Sequence, residues 1–328
     1  MRFRLLFLCL PVLLGACAKS TGPLRLDLIG NSTLTSGSKT VAANDTLRTR
    51  VYAESADALL KRLTISVTYN PGPGPILYPL PLSSYDPTKN APPDLKITIL
   101  DSLIVPASEY LFENRFSARS TTGTELWQYK VLNQAEENAA RAYRLTVRKP
   151  DSAQVFHNFA VVMRPLVSIL PTADGAQARD RSRVFLGLNY GLLLPRYAVL
   201  NNEATVLPNQ QLVDVVCRVR DGSVVLDAPA YSTQPAPAPN PRWPQPRAPR
   251  LRRTSLSADD FTKALTAAAF ATAFDNGTKF TDSLSTGPLA KPQVVAFKTT
   301  EGKAGLLLVN DLTTGTAPLL NCFVKVQK

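Results

Sequence analysis

One histidine, His157, stands in 328 residues, and its solitude excludes much chemistry. A Ser-His-Asp triad would have to use it as base. In Val155-Phe156-His157-Asn158-Phe159 it lies between aromatics in a strand-like run, the usual setting of a structural histidine. One histidine and the two cysteines outside the N-terminal stretch, Cys217 and Cys322, cannot furnish the usual zinc ligand sets. No metal or cofactor is therefore expected. Glycine-rich phosphate loops, a nucleophile elbow and EF-hand repeats are missing as well. Acids are scarce, 25 against 37 lysines and arginines. No helix-turn-helix, zinc finger or aromatic RNA-reading motif gives that excess a nucleic-acid meaning. The expected acidic partners are lipid headgroups, lipopolysaccharide phosphates and uronic or sulfated glycans. Long apolar runs are also lacking. The most apolar stretch, residues 184–200, is interrupted by Asn189, Pro195 and Arg196, and reads as two buried strands or a strand and a turn.

The N-terminus carries the one strong targeting signal. Arg2 and Arg4 precede the apolar run Leu5 to Leu14, and small Gly15 and Ala16 follow, the layout of a secretory leader. Ten apolar residues are too few for a permanent span, which needs roughly 20 in a helix. Leu14-Gly15-Ala16-Cys17 resembles the lipobox of bacterial lipoproteins. That resemblance implies cleavage after residue 16 and acylation of the Cys17 thiol; an ordinary signal-peptide cut, which would leave a soluble secreted protein, is the alternative. One acyl chain holds only marginally, at about 0.8 kcal/mol per buried methylene, so the two or three chains of a lipoprotein cysteine would anchor durably. Residues 17–22 form a short tether. Ala18-Lys19-Ser20-Thr21 has no acid after the cysteine, and the resemblance then implies the outer membrane, on its periplasmic face.

The remaining chain reads as mainly β. Leu24, Leu26 and Leu28 alternate with polar partners; Leu47, Thr49, Val51 and Ala53 do the same, and so do Leu63, Ile65, Val67 and Tyr69. Residues 70–94 break the pattern with a proline-rich excursion, because proline lacks the N–H that a ladder requires. Strand signals resume at Leu95, at Tyr110 and at Leu126. Residues 133–141 read as one or two helical turns, and Phe159, Val161 and Met163 close the series before Pro165. About seven strands in about 140 residues is what an Ig-like β-sandwich requires, so residues 23–165 are expected to form one, with the boundary at Met163-Arg164-Pro165.

A second antiparallel β-rich domain with one helix is expected over 166–328. Val213, Val215, Cys217 and Val219 share a face, and Asp221-Gly222 turns the chain. Residues 229–253 form a second, basic proline-rich loop. Ser257 is placed as an N-cap with Asp260 three residues on, opening a helix over 258–274 that Asn276-Gly277 ends. The C-terminal strands Val294-Val295-Ala296-Phe297-Lys298-Thr299 and Phe323-Val324-Lys325-Val326, with the Gly302-Lys303 turn between them, resemble those of two-domain Ig-like lipoproteins of Gram-negative bacteria. The resemblance covers residues 175–328 best, and it implies an exported lipoprotein fold and no activity.

Two classes of function follow. The first is a non-catalytic, lipid-anchored envelope protein that binds glycans or partner proteins, with Tyr78, Tyr85, Tyr231 and Trp243 as stacking residues. The second is a structural or assembly component of an envelope complex. A glycoside hydrolase needs only two carboxylates, but Glu109, Glu113, Asp214 and Asp259 are scattered in sequence. Cys217 and Cys322 could pair in an oxidising compartment if their strands are neighbours, free buried thiols being the alternative. In the basic loop Arg242, Arg247, Arg250, Arg252 and Arg253 suit phosphate, carboxylate or sulfate groups. Trp243 would be their apolar anchor, and a solvated insertion is the plainer reading.

Overall fold

The computed structural model describes residues 23–149, 153–165, 181–201, 203–231 and 243–328. The leader, Cys17 with its tether, and Arg242 lie outside the described residues. The chain is mainly β. In the first half the strands are β1 (Leu24–Ile29), β2 (Lys39–Val41), β3 (Thr46–Ser55), β4 (Leu60–Asn70), β5 (Leu95–Ala107), β6 (Glu109–Ser117), β7 (Gly123–Asn133), β8 (Asn138–Val147) and β9 (Phe156–Met163), with one short helix, α1 (Pro87–Asn90), before β5. A three-stranded sheet, β1-β3-β6, faces a five-stranded one, β2-β8-β7-β4-β5. The period-2 pattern sets the faces. In β7, Glu125, Trp127, Tyr129 and Val131 are buried while Leu126, Gln128 and Lys130 are exposed. Polar groups between the sheets find partners across them: Thr49 Oγ1 lies 2.6 Å from the Tyr143 hydroxyl, and Asn114 Nδ2 donates to the Tyr129 hydroxyl at 3.1 Å.

The expected helical turns at 133–141 are instead a tight β7–β8 connection. The Asn133 side chain accepts from Glu137 N (3.0 Å) and donates to Glu137 Oε2 (2.8 Å), and Glu136 takes a φ of 62°. An Asx-type bond of this kind competes with helix formation. The proline-rich excursion is real, and its root is pinned from inside. Fully buried Arg119 donates to Pro71 O at 2.7 Å and Gly72 O at 3.1 Å. It supplies the donors that ladder N–H groups would otherwise give.

The second half contributes β10 (Arg183–Gly187), β11 (Leu192–Pro195), β12 (Val215–Arg220), β13 (Ser223–Asp227), β14 (Arg250–Arg253), α2 (Ala258–Lys263), α3 (Ala267–Asn276), β15 (Thr278–Lys279), β16 (Gln293–Lys298), β17 (Ala304–Thr313) and β18 (Leu319–Gln327). Strands β11-β10-β12-β13 form one sheet and β15-β14-β16-β17-β18-β9 another. Here β9 departs from its expected role. It does not close the first sandwich but pairs with β18, from Met163 opposite Leu320 to Phe156 opposite Gln327. Its alternation buries Phe159, Val161 and Met163 in a core that runs without a break from Leu26 to Val326. Alternation specifies a buried face and not the partner that covers it, which is why the sequence alone misassigns this strand.

The C-terminal sheet is covered on both faces. Val295, Phe297, Leu307 and Val324 enter the common core, whereas Val294, Ala296, Leu306 and Leu308 pack against Phe261, Phe270 and Phe274 of the helices. The expected single helix is two. The Ser257–Asp260 capping box opens α2 as the sequence predicts, but Ala264 is extended (ψ 101°) and Thr266 caps a new helix by accepting from Ala269 N. Buried Lys325 fills the break: its ammonium donates to the carbonyls of Phe261 (2.7 Å), Thr262 (3.0 Å) and Ala264 (2.9 Å). It also stands 4.8 Å from the Phe261 ring and 5.3 Å from Phe156. Those carbonyls are the orphans of a helix C-terminus, where a cation is favoured. Among the described residues no helix is long and apolar enough to cross a membrane.

Replacing Lys325 by methionine keeps the stem and removes the donors. One buried and two part-buried carbonyls would lose their partner, and we expect a loss of about 1–3 kcal/mol, read as a lower urea midpoint with unchanged m-value.

Candidate functional site

His157 lies in β9, and its Nε2 is 3.0 Å from Ser120 Oγ; both side chains are buried. The surroundings are the reverse of a triad's. Burial above all, then Lys149, Lys328 and Lys303, push its pKa down to about 3, so the charges acting on the ring are cationic, whereas a triad's histidine is supported by a carboxylate. Of the four scattered carboxylates, Glu113 is held by Arg50 (3.1 Å) and Arg115 (2.6 Å). Asp259 is in the first turn of α2, and Glu109 is exposed at the start of β6. The structure does not gather them. Among the described residues no group of three potential metal ligands converges.

Asp214 belongs to a different cluster. Fully buried, it accepts from Leu188 N at 2.7 Å and from Arg247 Nε at 2.8 Å. Arg247 also reaches Glu301 at 2.6 Å, and Asn189 Nδ2 donates to the same carboxylate at 2.7 Å. Burial pushes the Asp214 carboxyl up, with Arg247 pulling it back; at Glu301 burial also works upward, but the Arg247 hydrogen bond prevails and the pKa falls. This network corrects the reading of the basic loop. Arg247 seats the proline-rich segment on β10 and β12, and Trp243 is buried with its ring 6.0 Å from Phe185. Arg250, Arg252 and Arg253 are strand β14, not loop. Arg252 donates to the carbonyls of Phe274 and Asp275, both at 3.0 Å, at the end of α3. Trp243, Arg247 and Arg252 are thereby committed to the fold, while Arg250 and Arg253 remain exposed.

Cys217 lies in β12 and Cys322 in β18, strands of different sheets; both thiols are free and buried in the common core, with no disulfide between them. Burial pushes both thiols well up. Tyr78 and Tyr85, far apart in the excursion, do meet, with ring centroids 5.2 Å apart.

Two expected residues converge with others that sequence reasoning missed. A cleft of about 300 Å³ is lined by Arg220, Tyr231, Arg253, Lys279, Phe280 and Asp282, among others. The β12–β13 hairpin brings Arg220 there through the left-handed pair Asp221 (φ 51°) and Gly222 (φ 75°), the backbone a tight hairpin needs. The β14–β15 pairing, Arg253 opposite Thr278, brings Arg253 and Lys279. Arg220 is 5.1 Å from the Tyr231 ring and Arg253 is 5.3 Å from the Phe280 ring. Below them Asp227, fully buried, is shared by Arg218 (3.1 Å) and Arg220 (3.5 Å). The alternating Arg218 and Arg220 beside Asp221-Gly222 were the visible signal for this wall; Lys279 and Phe280 had none, since Lys279 ends a strand of two residues and Phe280 follows it.

Two outcomes test these assignments. Arg247→Met strands a buried carboxylate and should cost about 3 kcal/mol, part of which the added change Asp214→Asn restores, as a double-mutant cycle in denaturant would read. His157 is neutral in the fold at pH values where the unfolded chain, at about 6.5, is protonated. The stability it gives is therefore complete above that value and lost as pH falls toward about 3. Over this window wild type should lose up to about 1.4 kcal/mol per pH unit more than His157→Gln, measured as unfolding free energy against pH.

No family model matches the chain, and no curated protein matches it. Among solved structures it is similar to Spo0M, the sporulation control protein from Bacillus subtilis, at 10% identity and a TM-score of 0.24, over 62% of this chain and 78% of that one. A likeness this slight carries no argument about fold or function.

Proposed function

We propose that this chain is a lipid-anchored, non-catalytic protein of the Gram-negative cell envelope that binds glycans. It is held at the outer membrane through acylated Cys17, on the periplasmic side, and has an Ig-like first half. The lipobox-like Leu14-Gly15-Ala16-Cys17 supports the anchor. The observation that carries the binding role is the cleft, in which Arg220, Arg253 and Lys279 gather on one concave surface beside two aromatic rings. Small-molecule sites are concave, with a few convergent polar groups.

One feature favours a second reading, an assembly component that docks a protein partner. The first excursion exposes Leu77, Leu80 and Leu82 around the Tyr78–Tyr85 pair. Ala56 N donates to Pro23 O at the chain's entry. Strand β4 then runs eleven residues away before the excursion begins, about 36 Å at the usual strand rise. Those leucines thus follow the end of β4 opposite to the one beside Pro23.

Membrane fractionation and a glycan panel test the two parts separately. Cys17→Ala should leave the protein in the soluble fraction, and continued membrane association would refute the anchor. The full chain in detergent should bind members of the glycan panel; binding to none, with a protein crosslinked to the excursion in cells, would favour the second reading.

A further inference from the structure

We infer that the cleft reads one oxyanion substituent on a saccharide, the carboxylate of a uronic acid or a sulfate ester, through charge and not through ring stacking. This rests on the glycan-binding reading above and narrows it to a ligand class. Each of the two rings already has a guanidinium over it: the Arg220 guanidinium carbon is 5.1 Å from the Tyr231 centroid and that of Arg253 is 5.3 Å from the Phe280 centroid, within cation–π range. A guanidinium held at a ring keeps its N–H donors, and their fork matches a carboxylate or sulfate.

Charge in the cleft is unbalanced. Arg220, Arg253 and Lys279 line it against a single carboxylate, Asp282. Asp282 is engaged in its own turn, where its Oδ1 accepts from Leu284 N at 2.8 Å. Beneath the wall, the one carboxylate of Asp227 serves both Arg218 and Arg220, so the base adds no negative surplus. Among the described residues neither Arg253 nor Lys279 forms an ion pair, and both are exposed. Arg220 is held in place by Ser285 Oγ at 2.9 Å and supplies a fixed positive field behind them.

Size and lining favour a sugar acid over a membrane surface. About 300 Å³ is the lower end of small-molecule sites, and the polar residues Thr278 and Thr281 are part of the lining. No exposed large aliphatic side chain lines the cleft, whereas an interfacial lipid site combines basic groups with apolar ones that insert.

Calorimetric titration of the full chain in detergent tests this, with methyl glucuronide against methyl glucoside as probes and Arg253→Gln and Lys279→Gln as variants. Melting temperatures serve as the control for folding, since both side chains are exposed. The glucuronide should bind at least about tenfold more tightly than the glucoside, as one charge-assisted hydrogen bond allows. Its binding should weaken as sodium chloride rises and fall by about tenfold in Arg253→Gln. Equal binding of the two sugars, or full affinity in both variants, would overturn the oxyanion assignment and leave glycan binding standing. Arginine-dependent binding to phosphatidylglycerol vesicles without glucuronide binding would overturn it in favour of a membrane contact. Failure of every sugar, charged or neutral, in the wider panel would instead remove the reading beneath it.

Discussion

Strand β9 leaves the sheets formed by the strands before it and hydrogen-bonds along its length to β18, almost at the C-terminus. The six-stranded sheet of the second half therefore takes its outer strand from the first half. Polar contacts then close the seam. The Tyr197 hydroxyl donates to Asn114 Oδ1 at 2.6 Å, and Arg183 reaches Thr46 and Ser117. Lys149 Nζ donates to Asn158 O at 2.7 Å. Strand β5, an edge of its sheet, has carbonyls at Thr98 and Asp101 that would lack ladder partners; Asn209 and Asn201 from the other half supply the donors.

The basic composition acquires a partly internal meaning. Each of 27 prolines removes a backbone donor, and cationic side chains restore donors where irregular backbone leaves carbonyls bare. Arg119 does so for Pro71 and Gly72, Lys325 for the end of α2, and Arg252 for the end of α3. Such groups are buried or half-buried and cannot steer a ligand. Subtracting them leaves a smaller set, with Arg220, Arg253 and Lys279 gathered at one cleft, so the location of the charge says more than its sum.

Much of the strand content was legible because alternation is local. Leu47 to Ala53 and Leu63 to Tyr69 show their buried faces in the order of residues alone, and the Ser257–Asp260 capping box is a four-residue signal. What failed was non-local. The pairing of β9 depends on residues more than 150 positions away. The break between α2 and α3 depends on Lys325, far along the chain, whose ammonium satisfies the exposed carbonyls. The basic loop misled because proline density marked its start but not its end: Arg250 to Arg253 pair with β16 in register, and their identity as a strand comes from that partner. Within the cleft Tyr231 and Arg253 were visible as residue types, while their meeting with Lys279 and Phe280 follows from a two-residue strand that leaves no periodic trace.

If the exchanged strand and the unbroken core unite the halves, they must unfold together. Differential scanning calorimetry of the chain tests this most directly. The account predicts one transition whose calorimetric and van't Hoff enthalpies agree. Two resolved transitions, or a calorimetric enthalpy well above the van't Hoff value, would show two independent cores and contradict it.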